Sequence, residues 1–384
     1  MGVLSSSTTP LDVGAFNHSW VDELWDHGDQ RDILDCQALF NATQVSSTPP
    51  NIQQVKYIAY GIILPVLVCL GVLGDVLNLV VLTRPNMNGV AYIYMRGYAA
   101  ASLFALLCAI PFTYRILVHD TGLWYTYSNA FFHAHVVLYF GNSCIGTGVV
   151  MLLALTIERF ISVCYPAQAR NYCGRTRAFI TVFVIPITTF ILYCPYLFLY
   201  NVAICFNDRG ELMYLKEQNR ILVDSIWFHP YKWILEVVFK LIPALILVFL
   251  NVRIIRTYKD VCEKRRKMTS NVSGEQKRQY AEESRLMFLL GGTSTLFFVC
   301  MTPMIVLSLT IHMSWKDNLP YEVFRATANV LEVTNFACTF YIYCVFSKDF
   351  RETFLRTLRS AKENSMGASF LGSVSGLKEA MRPP

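Results

Sequence analysis

The sequence has 384 residues, of which 54% are hydrophobic and 16% charged, with a formal net charge of +6. Soluble domains sit nearer half apolar and about a quarter charged, so the balance points to a membrane, and the modest, dispersed basicity is not the clustered Lys/Arg surface of a nucleic-acid binder. The twelve cysteines contain no CxxC pair and the seven histidines are scattered, so no metal site and no cofactor are expected.

In chain order, residues 1–54 read as an extracellular tail. They lack the basic start and apolar run of a cleavable signal, so the first apolar run, from near Tyr57, is expected to act as both signal and anchor. Asn17 and Asn41 stand in Asn-x-Ser/Thr sequons and are the expected glycosylation sites. Residues 55–346 hold seven apolar runs, at roughly 57–83, 92–118, 130–163, 176–200, 230–255, 284–312 and 322–346. Each is long enough for a helix of about 20 residues to cross a bilayer. Spanning strands need about ten alternating residues in a closed barrel, a pattern these runs lack. The expected fold is an all-α membrane protein, a seven-transmembrane helix bundle.

Residues 347–360 place Phe350, Phe354, Leu355 and Leu358 on one helical stripe among Lys348, Arg351, Arg356 and Arg359. That pattern predicts an amphipathic helix on the inner membrane face. Residues 361–384 read as a disordered cytoplasmic tail. The 1–54 tail carries one basic residue, Arg31, whereas the segment between the fifth and sixth runs is rich in Lys and Arg, including Lys264, Arg265, Arg266 and Lys267. Basic residues stay on the cytoplasmic side, so the N-terminus is expected outside and the C-terminus inside. The basic loop is suited both to anionic membrane lipids and to an intracellular partner.

Ionisable groups inside a span cost several kcal/mol unless paired or wetted, so they point to function. Asp75 lies in the first run, Glu236 and Lys240 in the fifth, Glu332 in the seventh, and Glu158 with Arg159 at the inner end of the third. Glu236 and Lys240 are four apart and share a helix face. They read equally as an ion pair that only offsets burial or as the wall of an outward-facing cavity. Glu332, with Asn329 three residues before it, reads as a cavity carboxylate for a cationic ligand group or as a protonated interhelical acid. Arg325 and Asn142 complete the candidate ligand-contacting set.

The end of the third run, Leu155 to Pro166, contains Glu158-Arg159-Phe160. This resembles the acid–arginine–aromatic motif of rhodopsin-like G-protein-coupled receptors. The sixth run carries Phe297 and Cys300-Met301-Thr302-Pro303, where the family has an aromatic and then Cys-Trp-x-Pro. A mid-helix proline gives a kink about which the inner end can swing. Glu283 stands where the family often pairs an acid with the motif arginine. Pro243 is at the fifth helix's proline position, and Thr339-Phe340-Tyr341-Ile342-Tyr343 occupies the place of Asn-Pro-x-x-Tyr. The resemblance spans roughly residues 55–360. It implies activation switching through Glu158, Arg159, Phe160, Glu283, Phe297, Met301, Pro303 and Tyr343.

Several positions depart from the family pattern. Asp75 stands where an asparagine is usual and Ser102 where an aspartate is usual, as if a carboxylate had moved from the second helix to the first. Both are counted with the switch residues. Met301 replaces the toggle tryptophan, and Gly148 the usual serine. Ala134 replaces the usual helix-three cysteine, which leaves Cys205 without that partner. Cys36 is the other cysteine clearly outside, and a Cys36–Cys205 bridge is the expectation that follows.

The Leu82-Thr83-Arg84-Pro85-Asn86-Met87 exit from the first helix and the Phe340-to-Cys344 end of the seventh resemble the peptide-receptor branch that includes invertebrate FMRFamide-type receptors. The resemblance implies a plasma-membrane receptor for an extracellular peptide that signals to a heterotrimeric G protein. An amidated peptide with an arginine near its end suits Glu332, Glu236 and the acidic tail. The alternative reading is a receptor for a small-molecule or chemosensory ligand, although Gly141 stands where amine receptors place an aspartate. A transporter would want broken helix pairs or charge rings, and an enzyme a paired nucleophile and base. Neither pattern stands out.

Overall fold

A computed structural model describes residues 49–118, 126–206, 212–268, 274–310 and 318–360. Cys36, Asn17, Asn41, most of the expected N-terminal tail and the tail after residue 360 lie outside the described residues, as does the Glu283 side chain.

Helix α1 runs Pro50–Leu82, with a π turn at Tyr57–Ile63, and α2 spans Val90–Val118. Helix α3 covers Tyr127–Cys164 and α4 Arg175–Tyr193, extended by a 3₁₀ turn at Cys194–Phe198. Helix α5 starts at Phe228 and continues through a π turn, Val237–Leu241, to Met268, and α6 is Gly274–Thr310. Helix α7 is a bent pair, Leu319–Ala337 and Thr339–Phe346, with 49° between its halves. Among the described residues six helices are long and apolar enough to cross a membrane, seven when the bent pair is counted as one span. Helix α3 packs on α2, α4 and α5, and α7 closes the bundle against α6 and α1.

The exterior is apolar and the interior holds polar groups. Phe183 is 69% exposed and Phe249 61%, whereas Asp75 is 1% exposed and Ser102 0%. An apolar surface of that extent in water would aggregate; against lipid tails it carries no such cost. Close approach of α1 and α7 depends on two glycines. A Cβ on Gly71 would lie 2.9 Å from the Ala337 backbone, and one on Gly74 would lie 2.9 Å from the Phe340 Cβ, as small residues permit in membrane packing.

The α7 bend falls at the family's Asn-Pro-x-x-Tyr position, although no proline is there. Cys338 takes φ −85° and ψ −4°, and the Thr339 hydroxyl donates to the Asn335 carbonyl at 3.4 Å while Thr334 donates to Val330 at 2.7 Å. Hydroxyls that compete for the i−4 carbonyls bend helices.

A final helix, α8, covers residues 348–360. The Ser347 hydroxyl caps it by accepting from the Phe350 backbone N–H at 3.2 Å. Arg351 donates to the Cys344 and Val345 carbonyls at the end of α7, at 2.8 and 2.7 Å. The apolar residues of α8 divide between two surfaces. Phe350 is buried and Phe354 packs on the bundle through Phe340, but Leu355 and Leu358 are exposed.

One element is absent from the all-helical expectation. Tyr200–Phe206 and Leu212–Gln218 pair antiparallel as β1 and β2 between α4 and α5. Met213 and Leu215 point inward from β2, a period-two alternation too brief to stand out beside the long apolar runs. The hairpin marks one end of the bundle, and Arg159 lies at the other.

Candidate ligand site and switch residues

Helices α5, α6 and α7 meet around Lys240, which is 7% exposed. Its ammonium lies 2.9 Å from Glu236 and 3.8 Å from Glu332. The Ser308 hydroxyl of α6 donates to Glu236 at 3.0 Å. A cavity beside this cluster is lined by Trp233, Glu236, Val237, Lys240, Leu241, Ile305 and Ser308. The π turn puts one extra residue into the helical circuit ahead of Pro243 and presents Phe239 and Lys240 to the interior together. The Glu236–Lys240 pair follows from its spacing of four. The reach to Glu332 across the bundle does not, because nothing local links residues 240 and 332.

The other candidate ligand contacts do not join this cluster. Asn329 donates to the Tyr60 hydroxyl at 2.7 Å, tying α7 to α1. Arg325 pairs with Glu322 at 3.4 Å, and Glu322 also meets Lys56 at 3.8 Å. Asn142 bonds back to the Leu138 carbonyl at 2.7 Å. Glu322, 3% exposed, went unremarked in the sequence because it sits at the margin of its apolar run. Arg96 is another such residue. Its guanidinium donates to the Leu82 and Met87 carbonyls, at 2.7 Å each, and clamps the α1–α2 turn.

Toward the middle of the bundle, Ser102 donates a short hydrogen bond to Asp75, and Asn78 donates to the same carboxylate at 3.4 Å. The two departures from the family pattern are thus each other's partners. Phe336 stacks on Tyr98 with ring centres 6.1 Å apart, and a Cβ on Gly148 would come within 3.1 Å of the Phe336 ring. Phe336 therefore fills the space beside α3 that the missing serine leaves. Phe297 and Met301 are fully buried on α6, with Pro303 inside the helix. Tyr343 is buried against Phe350, with ring centres 5.7 Å apart.

At the far end of α3, Arg159 lies 3.0 Å from Glu158, and Ser162 donates to Glu158 at 3.1 Å. Phe160 packs edge-on against Tyr165. At the hairpin end, Ala134 is fully buried in a π turn of α3. Cys205 is disulfide-bonded. Among the described residues nine cysteines are free; Cys36 and the Cys262 side chain lie outside them.

The sequence matches the family model "7 transmembrane receptor (rhodopsin family)" over residues 75–346. A probable G-protein coupled receptor of Caenorhabditis elegans is 32% identical over 81% of this chain and 72% of its own length. A second from the same nematode is 25% identical over 83% of this chain and 79% of its own. The FMRFamide receptor of Drosophila melanogaster is 24% identical over 79% of this chain and 54% of its own length. With the helical bundle, the acid–arginine motif at the end of α3 and the proline-bearing α6 in place, the chain belongs to the rhodopsin family of seven-transmembrane, G-protein-coupled receptors, which are signal transducers and not enzymes.

Proposed function

We propose that this receptor lies in the plasma membrane with its hairpin end outside, is activated by an extracellular peptide, and passes the signal to a heterotrimeric G protein at the Arg159 end. The observation that carries the ligand reading is the ionic cluster of Glu236, Lys240 and Glu332, which joins α5 to α7 beside a cavity between α5 and α6. Buried charge is costly in a bilayer, and two carboxylates sharing one lysine suit a ligand bearing positive charge, such as an amidated peptide with a terminal arginine. The names of several relatives point the same way: an FMRFamide receptor, a sex peptide receptor and a galanin receptor.

Helix α8 lies on the inner leaflet in this reading, with Leu355 and Leu358 in the acyl boundary. The disulfide of Cys205 runs to Cys36 in the outer tail, because Cys262 sits on the extension of α5 at the opposite end of the bundle. Asn17 and Asn41 carry glycans on the same side.

The test is a G-protein activation assay in cells that display the receptor, screened with a library of amidated neuropeptides and repeated with Arg159→Ala. A saturable response that vanishes in the variant is expected. Silence to every peptide, together with a saturable response to a small amine or chemosensory ligand, would replace the peptide reading.

A further inference from the structure

Lys240 is shared. Its tight contact is to Glu236 on its own helix, at 2.9 Å, and its longer one is to Glu332 on α7, at 3.8 Å. Glu236 is also held by Ser308 of α6. Among the described residues Lys240 is the one ion-pair partner of Glu332. Two carboxylates therefore divide one ammonium, and Glu332 holds the longer, weaker share of it.

The same contact has a mechanical role, because Lys240–Glu332 is an ionic tie between α5 and α7. It passes beside α6, where Met301, Ile305 and Ser308 recur at the spacing of one helical face. Ile305 and Ser308 line the cavity next to Lys240, and Met301 lies one turn along that face, fully buried. A thioether at 301 is narrow and adaptable. A rigid indole would put far more volume on this face, next to the path by which Lys240 reaches α7.

Resting on the receptor reading above, we propose that the Lys240–Glu332 bridge is the resting-state lock of this receptor, and that its ligand presents one cationic group, a guanidinium or an amine, that takes the place of Lys240 at Glu332. Lys240 then pairs with Glu236 alone. Both carboxylates are matched one to one, and α7 is released from α5. The ligand shifts the population because its cation finds Glu332 available only in the unlocked state.

The experiment uses the full-length receptor and needs no identified ligand. Glu332→Gln, Lys240→Met and the double variant are compared for basal G-protein activation at matched surface expression. Glu332→Asp, which keeps the charge but withdraws it by one methylene, guards against misfolding of the Gln variant. Each single change is expected to raise basal activity about threefold, the shift an average interhelical polar contact supports, with the double variant no higher than either single. Basal activity at the wild-type level in all of them, from a receptor that does turn over G protein, would overturn the lock.

In parallel, electron–electron distances between nitroxides at the Arg159 ends of α3 and α6 are measured on purified protein. A shifted distribution in Glu332→Gln without G-protein turnover would keep the lock and reject the coupling reading. An unshifted distribution rejects the lock whatever the coupling. For the ligand class, Glu332→Gln is expected to lose at least tenfold in potency toward arginine-containing peptides and to leave neutral analogues unchanged. Equal losses for both would remove the cation from the proposal.

Discussion

The Asp75–Ser102 pair shows how a single exchange propagates. A carboxylate that is 1% exposed needs donors, since burying it without hydrogen bonds costs far more than any packing gain. Ser102 and Asn78 supply them. Ser102→Ala is expected to lower the stability of the detergent-solubilised receptor by about 1–3 kcal/mol, read as a lower midpoint of thermal inactivation. Ser102→Thr, which keeps the hydroxyl, should retain most of it. This partnership was legible from two motif positions that departed together. The sharing of Lys240 was legible only in half, because the i, i+4 spacing announces Glu236 while Glu332 is brought in by the tertiary fold. Asn329, Arg325 and Asn142 carried the right chemistry for ligand contact, but each is engaged with a neighbour elsewhere.

At the scale of elements, the apolar runs located every span, since a bilayer demands about 20 residues of helix. What they did not show were the interruptions. Three π turns, at Tyr57–Ile63, Phe132–Val136 and Val237–Leu241, leave no mark in hydropathy. The α7 bend survives without its proline because Cys338 and the threonine hydroxyls supply another cause. Two substitutions test the packing of these elements. Gly71→Val places side-chain atoms against the Ala337 backbone, and overpacking of this kind costs about 1–3 kcal/mol. A fall in the inactivation midpoint is expected, and an unchanged midpoint would mean that α1 and α7 can part freely. Phe350→Ala removes a fully buried ring that touches Phe340 and Tyr343. About 3 kcal/mol is the expected loss, visible as faster hydrogen exchange across α8.

For the whole molecule, the inverted polarity of the bundle identifies its solvent: large apolar side chains outside, acids, hydroxyls and a lysine within. Composition hinted at this, and the distribution of runs made it a fold. The proposed orientation rests on the excess of Lys and Arg at the Arg159 end. Mass spectrometry of the unreduced protein is expected to recover a Cys36–Cys205 linked peptide; recovery of Cys36 alkylated would break the proposed anchorage of the tail to the β hairpin. The hydropathy reading passed over the hairpin, because its alternation spans only a few residues between two strong helical signals.

Coupling to a heterotrimeric G protein at the Arg159 end is read out by nucleotide exchange. The purified receptor in lipid nanodiscs is mixed with heterotrimeric G proteins, beside empty discs and the Arg159→Ala variant. Receptor-dependent exchange that the variant loses is the expected result. Exchange no faster than with empty discs, for every G-protein class and from a receptor shown to be folded, would contradict it.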